Sequence, residues 1–276
     1  MKKLIFFLIV LKISLCAQEL NLTGNFLTGS VVFGQSESIE YAFLDTVKLD
    51  VAEGKFFTFA FDRDDDKEHL LKVKFHAGRV VLKKITPRPA KYNIQRINNM
   101  QNKHVNPPQS ENDRILKERE ITRNARAMIG GVKDAFIING MKRPVKGGRI
   151  SGVFGSQRIL NGIPKNIHNG LDIAVPRGTP VYAMADGFVV LSADTFFYSG
   201  NNIIIDHGQG LNSFYLHLNK KDVKEGEFVK KGQKIGEVGT TGRSTGPHLH
   251  WGVQWFDKRI DPELLLSGEY ENFNKL

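Results

Sequence analysis

The chain has 276 residues, of which 41% are hydrophobic, and a formal net charge of +10. This length is enough for two domains with separate cores, and the composition is that of an ordinary globular protein. The positive charge favours anionic surfaces, but no basic helix with interleaved aromatic residues points to a nucleic acid. Cys16 is the only cysteine, which excludes a fold held by internal disulfides.

The first 17 residues have the order of a secretory signal. Met1-Lys2-Lys3 precedes an apolar run from Leu4 to Leu11, and Ser14 to Ala17 provide a small-residue end. Lys12 interrupts the apolar run, which leaves it short of the roughly 20 residues of a membrane-spanning helix. We therefore predict a signal peptide at 1–17 and export, with the net charge falling from +10 to +7 as three lysines are removed. The alternatives are a retained anchor and a lipid attached to Cys16.

Residues 18–90 are predicted to form a small β-domain. Short apolar runs such as Gly29 to Gly34, Lys55 to Phe61 and Arg79 to Leu82 alternate with turn residues, as in a domain of short strands. Alternate aspartates from Asp62 onward are similar to the start of a calcium-binding loop. Lys67, however, stands where that loop requires glycine, which favours a solvated turn.

Residues 91–135 are predicted to be a linker followed by a helix. The stretch up to Pro108 is rich in Asn, Gln, Lys and Pro and lacks periodicity, whereas Ser110 is a suitable N-cap and Gly130-Gly131 a suitable stop. A rough apolar stripe lies between them, made of Ile115, Leu116, Ile121, Ala125 and Met128. From residue 136 to 266, strands and glycine turns return, and we predict a second, nearly all-β domain followed by a short tail at 267–276.

Four residues of this second domain have the character of metal ligands. His248 and His250 are two apart, and His168 and Asp172 are four apart, so each pair shares one face of an extended strand. Gly170 disfavours a helix between His168 and Asp172, and the following Ile-Ala-Val-Pro sequence is typical of a strand that ends in a turn. Imidazole and carboxylate suit zinc, and a hydrolytic zinc site uses three protein ligands. Spacing alone does not choose between His248 and His250 as the third ligand.

One further histidine, His217, lies at the predicted end of a strand. With it, the region from Val153 to Pro262 closely resembles the lysostaphin-type zinc peptidoglycan endopeptidases, the LytM or M23 family. The matching motifs are Val153-Phe154-Gly155, His168 to Asp172, Gly178-Thr179-Pro180-Val181, Tyr215-Leu216-His217-Leu218 and Gly242 through His250.

The resemblance implies an antiparallel, sandwich-like β-domain with a groove and one Zn2+ ion. It assigns His168, Asp172 and His250 as metal ligands, and leaves His217 and His248 beside the metal as catalytic residues. We expect His217 to act as the general base and His248 to support the oxyanion, although the two roles can be exchanged. His207, which also lies in a turn, is expected to be structural.

The implied partner is bacterial peptidoglycan, in agreement with export and with a basic protein that meets an anionic wall. An added N-terminal β-domain and a signal peptide favour the periplasmic members of Gram-negative envelopes, which cut the D-alanyl to diaminopimelate crosslink and in some cases remove terminal D-alanine. The alternative is an inactive relative that binds the wall or activates an amidase. The sequence leaves open whether the N-terminal domain occludes the site or targets the wall, and it does not determine the oligomeric state.

Overall fold

The computed structural model describes residues 19–266, so the predicted signal peptide and the predicted C-terminal tail lie outside the described residues. The expected mainly β architecture is confirmed, with antiparallel sheets and one long helix. Within residues 19–266, no helix is both long and apolar enough to cross a membrane. The first seven strands are β1 (Asn21–Gly24), β2 (Val31–Gln35), β3 (Ile39–Leu44), β4 (Val47–Leu49), β5 (Phe56–Ala60), β6 (His69–Phe75) and β7 (Val80–Ile85).

These seven strands form two antiparallel sheets, in the orders β1-β2-β5 and β4-β3-β6-β7. Every residue of β5 is buried, which a continuous apolar strand requires because both of its faces must be covered. Phe57 and Phe59 of this strand stack with ring centroids 6.2 Å apart, and Phe59 meets Phe61 edge to face at 5.7 Å. Phenylalanine packing therefore supplies much of the core of this region.

The segment predicted as a linker and helix is more structured than its composition indicated. It contains β8 (Ile94–Ile97), the short helix α1 (Asn102–Val105) and the long helix α2 (Asn112–Ala127). Strand β8 pairs in parallel with β10 (Gln157–Leu160), which in turn pairs with β11 (Ile163–Ile167). The lack of periodicity was misleading because β8 finds its partner strand about 60 residues later in the chain.

Helix α2 differs from the prediction in two details. Its N-cap is Glu111 and carries no side-chain capping bond, so the expected cap by Ser110 is wrong. Of the predicted apolar stripe, only Ile115 and Ala125 are buried, whereas Leu116 is 60% and Met128 51% exposed. The helix contacts the C-terminal region along its length: Glu118 accepts a hydrogen bond from the Phe197 backbone N–H at 2.7 Å, and Ala125 joins a small apolar cluster with β-strand residues.

A ten-stranded sheet forms the C-terminal region; Asp172, His217 and His250 lie on its strands, and His168 and His248 lie just before two of them. The strands of this sheet are β9 (Arg149–Gly152), β12 (Leu171–Ala174), β13 (Pro180–Tyr182), β14 (Gly187–Phe196), β15 (Gly200–Asp206), β16 (Leu211–Lys221), β17 (Phe228–Val229), β18 (Lys234–Val238), β19 (Leu249–Trp255) and β20 (Lys258–Ile260). The main path of the sheet is β17-β14-β15-β16-β19-β12-β9, with β13, β18 and β20 attached beside it. Strand β19 is buried along its whole length between β16 and β12.

The N-terminal sheets pack against the end of β19 that is farther from the histidines. Thr58 donates a hydrogen bond to Gln209 Oε1 at 2.9 Å, and Gln209 Nε2 donates to the Phe56 carbonyl at 3.0 Å. The Gln209 carbonyl in turn accepts the indole N–H of Trp255, the last residue of β19. His250 lies five residues earlier on this strand, about 17 Å away at the usual rise of an extended chain.

Candidate metal centre and active site

Strand register brings two of the predicted ligands together. Asp172 on β12 lies directly opposite His250 on β19, so the two side chains share one face of the sheet. Asp172 Oδ1 is 2.8 Å from His250 Nδ1. The two residues are 78 positions apart in the chain, and only the pairing of these strands makes them neighbours.

His168 reaches the same point from a different element than the sequence indicated. It lies in the turn between β11 and β12, so the prediction that His168 and Asp172 share one face of a strand is wrong. His168 Nε2 is nevertheless 3.0 Å from Asp172 Oδ1 and 3.0 Å from His250 Nδ1. The His168 ring is fixed in this orientation because its Nδ1 donates a hydrogen bond to the Val153 carbonyl at 2.9 Å.

The three buried ligand atoms fit a divalent metal such as zinc. Since the proton of neutral His168 is held on Nδ1 by the Val153 carbonyl, its Nε2 faces the other two ligands as a bare acceptor. Asp172 contributes a carboxylate oxygen, which carries no proton when ionised. Of the three facing atoms, only His250 Nδ1 can therefore carry a hydrogen. They form the one group of His, Cys, Asp or Glu side chains suited to a metal within residues 19–266. Two imidazoles and one carboxylate are a donor set typical of hydrolytic zinc sites.

Burial sets the protonation states of this group. It lowers the pKa of His250 to about 4, although Asp172 acts in the opposite direction. Burial also opposes ionisation of Asp172, but His168 and His250 together hold the pKa of that carboxyl well below its usual range. Near neutral pH His250 is therefore neutral and Asp172 is ionised, the forms of these two groups that bind metal.

His217 lies within β16 rather than at its end, and it sits at a β-bulge. Tyr215 pairs with Ile203 and Leu218 with Asn201, so β16 carries one extra residue at this point. The φ angle of His217 is +64°, an unusual value for a residue other than glycine. Leu216 and His217 consequently both line the groove, although consecutive residues of a regular strand point to opposite faces.

The two histidines outside the ligand group have their ring protons placed in the same way. His217 Nδ1 donates to the Thr241 carbonyl at 2.8 Å, and His248 Nδ1 donates to the Gly246 carbonyl at 2.8 Å. In the neutral form of each ring, Nε2 is left without a proton. The ring centroids of His217 and His248 are 4.8 Å apart, and His248 Nε2 is 3.8 Å from Asp172 Oδ1.

Several supporting residues carry no local sequence signal. Arg158 on β10 contacts Asp172 Oδ2, and Arg158 Nε donates to Gln95 Oε1 at 3.2 Å. Gln95 belongs to β8, so the segment predicted as a linker supports a ligand of the site. Gly170 is a further case, because a Cβ atom there would lie 2.7 Å from His250 Nε2. Only the folded arrangement identifies these positions.

His207 is structural, as the sequence indicated. Its Nδ1 donates to the Asp186 carbonyl at 2.7 Å, and its Nε2 is 2.7 Å from Ser213 Oγ. The ring is completely buried, and burial lowers its pKa to about 4. Both ring nitrogens are occupied, so His207 has no part in the metal group.

The groove beside the metal group is formed by C-terminal strands, by the loop that follows β18 and by helix α2. No residue of 19–90, where the structure describes the N-terminal sheets, lines it. The open groove leads to three convergent ligands and two histidines with free Nε2 atoms. This combination defines a mononuclear metallohydrolase site on an antiparallel β-sheet.

Residues 166–262 match the model of peptidase family M23, and the chain carries an M23 metallopeptidase domain. A structure of a protein from Pseudomonas aeruginosa, assigned to the same family, has a TM-score of 0.62 and 28% identity, and the match covers 87% of this chain and 94% of that one. The similarity of fold therefore extends through the N-terminal sheets as well.

Three relatives with named activities are similar over part of the chain. The peptidoglycan DD-endopeptidase ShyA of Vibrio cholerae is 49% identical over 105 residues, which are 37% of this chain and 24% of ShyA. ShyC of the same organism is 39% identical over 151 residues, or 54% of this chain and 30% of ShyC. The DD-carboxypeptidase/endopeptidase Mpg of Neisseria meningitidis is 43% identical over 96 residues, or 35% and 22%. The chain thus spans less than a third of the length of these relatives.

Proposed function

We propose that this protein is an exported, zinc-dependent peptidoglycan hydrolase that cleaves the D-alanyl to meso-diaminopimelate crosslink. The observation that carries this proposal is the convergence of His168, Asp172 and His250 next to the groove that His217 lines, with His248 adjoining both His217 and Asp172. The names of the similar V. cholerae and N. meningitidis proteins support the D,D specificity and a secondary carboxypeptidase activity. The signal-like N-terminus supports a periplasmic location.

His168, Asp172 and His250 would hold the ion. When bound, zinc supplies a Lewis acid for the scissile carbonyl and for the attacking water. The protein's own residues provide the proton transfers and orient the substrate, which lies along the groove in an extended form.

The two free histidines divide these duties according to their environments. Burial lowers the pKa of His217 well below its ordinary value, and His248 and His250 lower it further, so this ring is neutral and its Nε2 can accept a proton. His248 keeps its Nδ1 proton on the Gly246 carbonyl, so its Nε2 becomes a donor only when the ring is protonated. In that form it stabilises the negative charge that develops on the scissile oxygen. We therefore assign His217 as the base and His248 as the oxyanion residue.

Digestion of purified peptidoglycan tests the proposed function. The mature protein, loaded with zinc, should convert crosslinked muropeptide dimers to monomers, as seen by mass spectrometry. Loss of terminal D-alanine from pentapeptides would reveal carboxypeptidase action, and a chelator should abolish both reactions. If neither product changes with the zinc-loaded protein, the enzymatic function is wrong.

The alternative function is that of an inactive wall-binding relative or an amidase activator. It is disfavoured because all five site residues are present, whereas an inactive relative has no need of a complete ligand set. Zinc content separates the two functions. The wild-type protein should retain about one zinc ion after dialysis, and the His250→Ala variant should not.

A further inference from the structure

The groove beside the metal group is strongly cationic. Four arginines line it, Arg126, Arg158, Arg243 and Arg259, and no aspartate or glutamate side chain does so. Only Arg158 has an acidic partner within the described residues, since it contacts Asp172. The three arginines without an acidic partner raise the electrostatic potential of the groove and attract anionic groups.

Arg126 and Arg243 are the informative members of this cluster because they are half-buried and have no acidic partner within the described residues. Neither guanidinium forms an ion pair or a hydrogen bond with any residue of 19–266. Arg126 lies over the ring of Phe214 at 5.6 Å, and Arg243 lies over the ring of Tyr198 at 4.6 Å. Burial lowers the pKa of both side chains. Partial removal of an unpaired charge from water is costly, and a bound anion would offset that cost.

Arg243 is the arginine whose surroundings connect it to the reacting groups. It belongs to the loop after β18, and its backbone N–H donates to the Tyr198 carbonyl at 2.9 Å. Two residues earlier, the Thr241 carbonyl holds the ring of His217. The charge of Arg158, which contacts the ligand Asp172, is close enough to lower the pKa of Arg243 further. Arg126, by contrast, lies on helix α2, and its pKa is lowered by burial and by the charge of Arg259.

We propose that Arg243 binds a free carboxylate of the substrate, carried by the carbon atom attached to the scissile nitrogen, and that Arg126 adds a second cationic contact from helix α2. The inference rests on the proposed function and specifies its substrate class. Diaminopimelate is a diamino diacid, so its crosslinked nitrogen is attached to a carbon that bears a carboxylate. A terminal D-alanine has its carboxylate in the same position. A single cationic site would thus accept both the crosslink and the pentapeptide end, whereas the interior of a glycine bridge has no such group.

Two substrates that differ at one group test this assignment. Crosslinked muropeptide dimers are prepared with the diaminopimelate carboxylate beside the scissile nitrogen either free or converted to a carboxamide. We expect the zinc-loaded wild-type protein to cleave the free acid with a kcat/KM about 10- to 100-fold higher, the range that charge-assisted hydrogen bonds provide. In the Arg243→Gln variant, the ratio of kcat/KM for the free acid to kcat/KM for the carboxamide should fall towards one. The Arg243→Lys variant should keep part of this preference.

The controls separate specific recognition from general effects. Arg123→Gln removes an exposed arginine of α2 one turn before Arg126, where it pairs with Glu120 at 3.6 Å, and it should leave the preference intact. Binding of both dimers to the zinc-loaded His217→Ala variant, with and without Arg243→Gln, measures the same preference without turnover.

Equal cleavage of the two dimers by the wild-type protein would overturn the carboxylate site and leave the hydrolase function standing. An equal loss on both substrates in Arg243→Gln, with the preference unchanged, would reduce Arg243 to a structural role. If the wild type cleaves neither dimer, the proposed function fails, and the binding measurement alone decides whether the groove prefers the carboxylate.

Discussion

The Thr241 carbonyl accepts a hydrogen bond from His217 Nδ1 at 2.8 Å, and this contact determines what His217 can do. It retains the ring proton on the nitrogen that faces away from the metal group. The positive φ angle and the β-bulge at His217 then direct the other nitrogen, Nε2, into the groove. A bulge that re-aims one side chain thus converts a strand residue into a proton acceptor beside a candidate metal centre.

His217→Asn should abolish most activity without removing the metal. Asparagine is smaller than histidine, keeps polar atoms near the Thr241 carbonyl and cannot accept a proton near neutral pH. We expect kcat to fall by about 100- to 10,000-fold, the usual contribution of a general base. Zinc content, measured by inductively coupled plasma mass spectrometry, should stay at the wild-type level.

His76→Asn is the matched control for this change, since His76 is an exposed histidine of the N-terminal region. It should behave as wild type in both measurements. A His217 variant with full activity would show that the base is another group.

Asp172→Asn should eliminate the response of the protein to zinc. The substitution removes the only negative charge among the three ligand atoms and leaves the shape of the side chain almost unchanged. Zinc added to the chelated wild type should raise the free energy of unfolding by about 2.7 kcal/mol when its concentration is 100 times Kd. Thermal unfolding with and without zinc measures the effect. An equal shift in both proteins would show that the metal binds elsewhere.

Gly170→Ala should weaken metal binding although no ligand is changed. The added Cβ would lie 2.7 Å from His250 Nε2 and 2.6 Å from the Trp251 carbonyl, so the His250 ring must move. We expect zinc affinity to fall by about 10- to 100-fold, as for other changes that disturb ligand orientation. Competition with a chromogenic chelator gives the affinity. Gly246→Ala is the control, because no atom lies within 4 Å of its added Cβ.

His207 should contribute to the acid sensitivity of folding. Its pKa is about 4 in the folded protein and near 6.5 when exposed. Between these values the unfolded chain binds more protons than the folded one, so stability falls as the pH drops from 6.5 to 4, by roughly 3 kcal/mol. Urea unfolding of His207→Asn should show a correspondingly flatter pH dependence over this range.

Comparison with the wild type separates the effect of His207 on the pH dependence of stability from that of its neighbour Asp206. Burial raises the pKa of that carboxyl to about 6, which acts in the opposite sense because the folded protein then binds the extra proton as the pH falls. Asp206 is present in both proteins, so the difference between their two pH curves reports His207. Parallel curves would contradict the prediction.

The local pattern of residues was sufficient for much of the architecture. Short apolar runs between glycine turns predicted two β-rich regions, and the helix that begins near residue 110 was recognised from its stop signal and periodicity. The parallel pairing of β8 was missed because its partner lies far away in the chain. The burial of α2 was overestimated because periodicity does not reveal how much of a helix its neighbours cover, as the exposed Leu116 demonstrates.

By itself, the sequence determined the types of chemical group available and the family that its motifs resemble. The His-x-His pair and the His168 and Asp172 pair specified imidazole and carboxylate chemistry suited to a metal, because those groups are properties of the residues alone. Their relative positions depended on the tertiary structure. Strand register placed Asp172 opposite His250, a turn delivered His168, and a bulge turned His217 inward. The unpaired guanidinium of Arg243 likewise became informative only in the fold, because the tertiary structure half-buries it in the groove without an acidic partner among the described residues.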